Sequence, residues 1–374
     1  MPTLGDVVAA LERRYPTSWA AAWDAVGLVC GAPEDTVARV LFAVDPVAAT
    51  VQQAVDTGAQ LLVTHHPLFL SGVHGVPATS YKGRLVHTLI RHGIGLYAAH
   101  TNADSADPGV SDALAAALGL TELRPLQPDP AEPLDVLVTY VPEADTERLV
   151  DALSAAGAGA IGDYSRCAWL GEGTGTFLPG ARAAPAIGTV GSIARVGETR
   201  VEMVLPRPLR ARVRAALVAA HPYEEPAYSF LEAAALPSRR GTGRIGRLTA
   251  PMSLRAFVEH VSRSLPRTAA GIRAAGDPDR QVRDVAVCGG AGDSLLPAAT
   301  AAGVDCYVTG DLRHHRTSEH LEAGGPAVVD AGHWASEWPW LAAAAGGLRR
   351  ALDGAVQITV SDLVTDPWTL RSDR

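Results

Sequence analysis

The stretch Gln60-Leu61-Leu62-Val63-Thr64-His65-His66-Pro67 decides the fold. A short apolar run breaks off at two histidines and a proline. It reads as a buried strand, Gln60 to Thr64, whose C-terminal tip carries polar groups. Three further segments repeat the design: Leu96 to Asp104 (LYAAHTNAD), Tyr307 to His315 (YVTGDLRHH) and Val328 to Glu337 (VVDAGHWASE). In open α/β sheets, ligands bind just beyond the C-terminal ends of the strands, so four such tips predict one shared crevice.

Working outward, strand patterns at Arg39 to Val44 and Gly95 to Ala99 alternate with helical patterns at Pro46 to Thr57, Lys82 to His92 and Val110 to Leu118. Such alternation predicts an α/β layer architecture. Arg124 to Pro133 carries four prolines in ten positions and reads as a linker. The texture then changes to a strand (Asp135 to Val141), a helix (Glu143 to Ala156), short glycine-rich strands, a strand (Arg200 to Leu205), a helix (Leu209 to Ala220) and a last strand (Ala227 to Glu232). That order suits a small ferredoxin-like α+β domain. A second linker is read at Pro237 to Gly246, after which the α/β pattern returns. Strands follow at Asp284 to Cys288, Cys306 to Thr309 and Ala327 to Asp330. The expected fold is therefore an α/β domain in two halves, 1–127 and 237–374, interrupted by an α+β insert at 128–236.

Composition bounds the function. At 374 residues the chain exceeds one compact core. No apolar run approaches the roughly 20 residues that span a bilayer. Met1 to Ala10 holds an acid and no basic residue, unlike a signal peptide, so a cytoplasmic location is expected. Cys30, Cys167, Cys288 and Cys306 stand singly, which points to small buried hydrophobes rather than disulfides or a thiolate site. A net charge of −8 argues against broad nucleic-acid binding.

The strand tips hold imidazoles and carboxylates, a mixture that suits zinc, manganese, iron or nickel, whereas carboxylates alone would favour magnesium or calcium. His65 and His66 precede a proline where the chain must turn, so both have access to one pocket. His333 and Glu337 are four apart and share a face if a helix starts near His333. An adjacent histidine pair alone is weak evidence, since twelve histidines yield roughly 0.4 such pairs by chance. Six of the twelve lie in these four segments, and that concentration carries the metal reading.

Thr64-His65-His66-Pro67, His100-Thr101-Asn102-Ala103-Asp104, Thr309-Gly310-Asp311 and Gly332-His333-Trp334-Ala335-Ser336-Glu337, in that order, resemble the motifs of the Nif-three-like dinuclear-metal family, also called GTP cyclohydrolase 1 type 2 homologue. Trp23-Asp24-Ala25-Val26-Gly27-Leu28 is similar to a further motif of that family, with Ala25 where asparagine is usual. The resemblance implies metal ligands His65, His66, Asp104, His333 and Glu337, with Glu337 bridging two divalent ions, zinc first among them. It places His100 beside the site, as an acid–base group or as an orienting partner. It likens the middle region to PII and CutA proteins, with His221 to Pro226 (HPYEEP) as a signature. It also implies a toroidal homohexamer.

Two ions about 4 Å apart lower the pKa of a shared water, which implies a metal-dependent hydrolase acting on a nucleotide or related small molecule. The alternative is a metal-binding regulatory or metal-handling protein whose insert senses a ligand or partner. Other groups have plainer readings. His314 and His315 either reach the pocket or merely follow the Asp311 turn. Asp311 reads as a helix cap, or otherwise as a substrate contact or a partner standing behind a metal ligand. HPYEEP reads as a helix exit. Gly289 to Ser294 reads either as a phosphate cradle or as a tight turn. His74, His87, His92, His260 and His320 read as ordinary surface or core residues.

Overall fold

Fully buried four-residue strands set the frame. Leu61–Thr64, Gly95–Ala98 and Ala327–Asp330 expose none of their residues, as parallel strands covered on both faces require. The computed structural model describes residues 1–372 and divides into two compact units. One comprises Met1–Asp129 with the chain from Arg239 onward; the other is Pro130–Ser238.

The larger unit holds two sheets. The first has the order Gly27–Cys30, Gly95–Ala98, Leu61–Thr64, Arg39–Ala43, Gln357–Val360, all parallel except the antiparallel Gly27–Cys30 edge. The second has the order Arg273–Ala275, Ala327–Asp330, Cys306–Gly310, Gln281–Ala291, Pro237–Ser253, Thr121–Pro130. Its three central strands from Gln281 to Asp330 run parallel. Helices Ala48–Asp56 and Tyr81–Arg91 pack on one face of the first sheet through Val51, Ala54, Leu85 and Leu89. Helices Leu4–Arg14 and His333–Ala351 join the opposite cluster with Phe42, Tyr97 and Val63. There Trp340 Nε1–H donates to Tyr15 Oη at 3.1 Å, tying residues 325 positions apart into one core. Local capping fixes where helices begin. Thr3 and Asp6 form a reciprocal capping box, and Ser80 Oγ accepts from the Gly83 amide at 3.0 Å.

Both expected linkers are strands. Arg124 to Pro133 falls largely within Thr121–Pro130, and Pro237 to Gly246 opens the long strand Pro237–Ser253. The prolines are tolerated because Thr121–Pro130 is the last strand of its sheet, where one side of the backbone needs no ladder partner.

The smaller unit runs strand Leu134–Pro142, helix Thr146–Ala155, strands Trp169–Phe177 and Ala194–Pro206, helix Arg210–Ala220 and strand Tyr228–Glu232. Its antiparallel sheet is ordered Trp169–Phe177, Ala194–Pro206, Leu134–Pro142, Tyr228–Glu232. One core, with Leu137, Leu149, Val201, Met203, Val213 and Leu217, holds it together. No helix among the described residues is long and apolar enough to cross a membrane.

Candidate metal centre

The site is built from backbone turns at strand ends. The chain leaves Arg39–Ala43 through Asp45, Leu61–Thr64 through His65 and His66, and Gly95–Ala98 through His100, with Asp104 one turn along the short helix Thr101–Ser105. From the second sheet, Cys306–Gly310 leads to Asp311, and Ala327–Asp330 leads through Gly332, at φ +79°, into a helix whose first residue is His333. His333 and Glu337 therefore share the first turn and one face, with His333 Nε2 3.2 Å from Glu337 Oε1.

Glu337 lies at the centre, almost wholly buried. Its Oε1 is 3.4 Å from His65 Nε2, and its Oε2 is 3.1 Å from His66 Nε2. Asp104 Oδ1 lies 3.7 Å from His65 Nε2. His65, His66, Asp104, His333 and Glu337 thus come together, and His100 stands within the same group as His65 and His66. His314 and His315 do not: they begin the helix His314–Glu322 and are exposed.

Each imidazole is held from behind. His65 Nδ1–H donates to the Ala99 carbonyl at 2.9 Å, His66 to Asp45 at 2.7 Å, His100 to Asp24 at 2.9 Å and His333 to Asp311 at 2.7 Å. Spending Nδ1–H on an oxygen fixes the tautomer and leaves Nε2 as a lone pair, the arrangement typical of ligating histidines. The consequence is visible between His66 and His333, whose Nε2 atoms face each other at 3.1 Å. Two lone pairs at that distance repel unless a proton or a cation lies between them. His65 Nε2 and Glu337 Oε2 are sealed from solvent and have no hydrogen-bond partner. Buried polar atoms are rarely left so, and an ion is a standard explanation. On these grounds the residues fit a divalent cation.

The electrostatics agree. Burial alone would make His65, His66 and His333 easier to deprotonate, but the Glu337 carboxylate overrides it. His65 is raised, His66 is raised well above the usual imidazole range, and His333 is pushed up to about 9. Burial works against the charge on Glu337, yet His66, His65 and His333 hold it well below the usual carboxylate range. Asp104 is raised by burial, only partly offset by His65 and His100. Without metal the cluster keeps protons where a cation would otherwise sit.

Glycine makes the approach feasible. Gly290 has φ +69°, and a Cβ there would collide with Glu337 Oε1 and stand 3.3 Å from His333 Nε2. A Cβ at Gly310 would lie 2.8 Å from the His333 amide. Gly289 to Ala291 thus end the strand Gln281–Ala291 packed against the histidine–glutamate pair, and Asp293–Leu295 follows as a 3-10 helix. Asp311 caps no helix: it sits at φ +55° and orients His333, while Arg313 occupies the N-cap. HPYEEP follows the helix Arg210–Ala220. His221 donates from Nε2 to the Tyr140 carbonyl at 2.9 Å and accepts from the Tyr223 amide at 3.1 Å, so both ring nitrogens are engaged. Asp45 is a partner that motif reading missed, and Asp24 stood in the Trp23 to Leu28 motif with no role assigned to it. Phe42-Ala43-Val44-Asp45-Pro46 repeats the strand-then-polar-tip pattern, and that signal would have found Asp45.

Fold and cluster together define a mixed α/β protein with a histidine–glutamate site able to hold a metal ion. Residues 2–367 match the family described as Duf34/NIF3 (NGG1p interacting factor 3), and the chain belongs to that family. The chain is 53% identical over 368 residues, 98% of its length and 97% of the relative's, to the "GTP cyclohydrolase 1 type 2 homolog" of Mycobacterium tuberculosis. The Bacillus subtilis protein of the same name is 36% identical over 370 residues, 97% of each chain. Among solved structures, a Bacillus cereus protein related to NIF3 is similar at TM-score 0.77 and 36% identity, covering 99% of both chains. A Staphylococcus aureus protein is similar at TM-score 0.82 and 27% identity, again over 99% of both.

Proposed function

We propose that the cluster is a dinuclear divalent-metal centre and that the protein is a metal-dependent hydrolase of a nucleotide or related small molecule. The observation that carries this is the pair of facing Nε2 atoms of His66 and His333, 3.1 Å apart, with both carboxylate oxygens of Glu337 close by. In this reading His65, His66, Asp104, His333 and Glu337 would hold the two ions, zinc first. Bound there, such ions supply Lewis acidity and bring the pKa of water towards neutrality.

The chain's own residues do the rest. Asp45, Asp24, Asp311 and the Ala99 carbonyl keep four imidazoles in one tautomer and orientation. His100, fixed at Nδ1 by Asp24, keeps Nε2 free to take up or return a proton at the edge of the cluster. Trp340 packs against His65 at 5.3 Å between ring centroids and excludes water from the rear. A cavity of ≈ 770 Å³ reaches His66 and His333 and is bordered by Asp311, Trp334 and the exposed Trp368. That volume and those indoles suit a flat small molecule rather than a polymer. The relatives' name makes a guanine nucleotide one substrate to try.

We also read the smaller unit as a ferredoxin-like domain of the PII/CutA kind, which its β-α-β-β-α-β order and sheet order support. A toroidal homohexamer is the expected assembly, to be checked by sedimentation equilibrium. The functional test is metal analysis of the untreated protein, followed by turnover of nucleoside triphosphates and p-nitrophenyl phosphate by wild type and Glu337→Gln. Two metal equivalents per chain and turnover lost in the variant are expected. Metal-free protein under excess zinc and manganese, or equal rates in both proteins, ends the proposal.

A further inference from the structure

A second concavity lies wholly within the insert and shares no residue with the metal cluster. It encloses ≈ 1000 Å³ between the strand Trp169–Phe177, the segment after it and the turn that follows His221. The strand reads Trp-Leu-Gly-Glu-Gly-Thr-Gly-Thr-Phe, with glycine at 171, 173 and 175. Alternate residues of a strand share a face, so these three point to the same side of the sheet. A strand built only for stability places β-branched or aromatic residues there; glycine in a strand marks close approach of something else. At Gly173 a Cβ would meet nothing within 4 Å, so the strand borders open space there. At Gly171 the space is taken by the Trp169 ring, and at Gly175 by the Glu198 carboxylate.

Glu198 is 9% exposed. Its Oε1 accepts from the Tyr223 hydroxyl at 2.7 Å, and it enters no ion pair among the described residues. Burial and Glu198 itself push the Tyr223 hydroxyl up, so it remains a donor at neutral pH. Its Oε2 packs against Gly175 at the cavity wall and accepts no hydrogen bond from the described residues, so it is an acceptor open to a donor from outside the chain. Glu172, Glu224 and Glu225 also line the cavity, against Arg182 and Arg200. Arg200 is already engaged, by Glu202 at 2.7 Å and by the Tyr140 hydroxyl at 3.0 Å. The surplus of carboxylates disfavours an anion, and the rings of Trp169 and Tyr223 favour a cation over their faces.

We propose that the insert carries a second binding site, for a flat organic cation whose N–H groups meet Glu198 and whose ring lies over Gly173 beside Tyr223 and Trp169. The proposal does not depend on the chemistry of the metal centre. The test is isothermal titration of the full chain with benzamidine, a flat amidinium, alongside its neutral isostere benzamide and the anion benzoate. Saturable binding of benzamidine is expected, with benzamide at least about tenfold weaker, because a charge-assisted hydrogen bond is lost. Benzoate is expected not to bind. Glu198→Gln keeps the shape and an acceptor for Tyr223, and weakens benzamidine at least about tenfold. Gly173→Val leaves Glu198 in place, projects into the cavity and blocks binding, while both variants keep the wild-type melting profile. Glu337→Gln is expected to bind as wild type does. Absence of benzamidine saturation, equal binding of benzamide, or wild-type affinity in Glu198→Gln and Gly173→Val overturns the proposal. So does loss of binding in Glu337→Gln, which would place the amidine at the histidine cluster.

Discussion

Replacing Gly290 by alanine separates backbone strain from damage to the metal cluster. Gly290 sits at φ +69°, and its missing Cβ is the space into which Glu337 Oε1 fits, with His333 Nε2 3.3 Å away. An alanine there suffers the left-handed conformation, which costs about 1–2 kcal/mol. The new methyl also forces the carboxylate back by on the order of 1 Å to restore ordinary contact. Metal coordination tolerates deviations of only about 0.2 Å, so the site cannot absorb the move. Gly303 supplies the control: it has φ +67°, and a Cβ there meets nothing within 4 Å. Both variants are expected to lower the urea midpoint by a similar strain term, with about 1–3 kcal/mol more for Gly290→Ala from overpacking. Only Gly290→Ala is expected to lose zinc affinity, by more than about tenfold, in competition against a chromogenic chelator. Wild-type zinc affinity in Gly290→Ala would refute the reasoning. Equal losses in the two variants would do so as well, by showing that strain anywhere in the unit suffices.

Three further outcomes follow from particular contacts. Asp45→Ala removes the acceptor 2.7 Å from His66 Nδ1, and zinc affinity should fall about 10- to 100-fold in the same chelator competition while His260→Ala leaves it unchanged. Asp112→Ala strips the buried Arg244 of its carboxylate at 2.8 Å and the Gly109 amide of its cap. Leaving a buried charge unpaired costs about 3–5 kcal/mol, measured by urea denaturation, and a loss under about 1 kcal/mol would contradict the burial argument. Asp135 is held below the usual carboxylate range by Arg210, against burial and with help from Arg207. Its folded pKa lies below its unfolded one, so its stabilisation is fully present above about pH 4 and is lost as pH falls through the folded value. The melting-temperature gap between wild type and Asp135→Asn should therefore be widest near neutrality and close on acidification; a gap that widens below about pH 4 reverses the assigned sign.

Much of the fold was legible because short, fully apolar strands have few alternative readings. Leu61–Thr64 and Ala327–Asp330 announce themselves by composition and by the polar break that follows. The edge strand Thr121–Pro130 was hidden for the opposite reason. Its prolines are the residues that mark a linker, and only its place at the end of a sheet makes them harmless. That place is set by strand order, which no local pattern encodes. Gly27–Cys30 and Gln357–Val360 were likewise unread, since each is a four-residue run whose pairing partner lies far along the chain.

At the site, the residues that point inward were readable and those that hold them were not. His65, His66, His333 and Glu337 stand in dense polar clusters, whereas Asp24 and Asp45 are single carboxylates in apolar surroundings, and neither shows locally which imidazole it holds. Their role depends on a distance across the fold: Asp24 meets His100 across 76 positions, and Asp45 meets His66 across 21. Asp311 stood open between a cap and a partner of a ligand, because a carboxylate just before a helix is the ordinary signature of a cap. Here the positive φ of Asp311 turns its side chain towards His333 and leaves the cap to Arg313. Glu337 touches three imidazoles at once only because Gly289 and Gly290 offer no side chain to keep it away. The donors can therefore be guessed from residue type, but their convergence rests on glycines and orienting carboxylates whose function exists only in three dimensions.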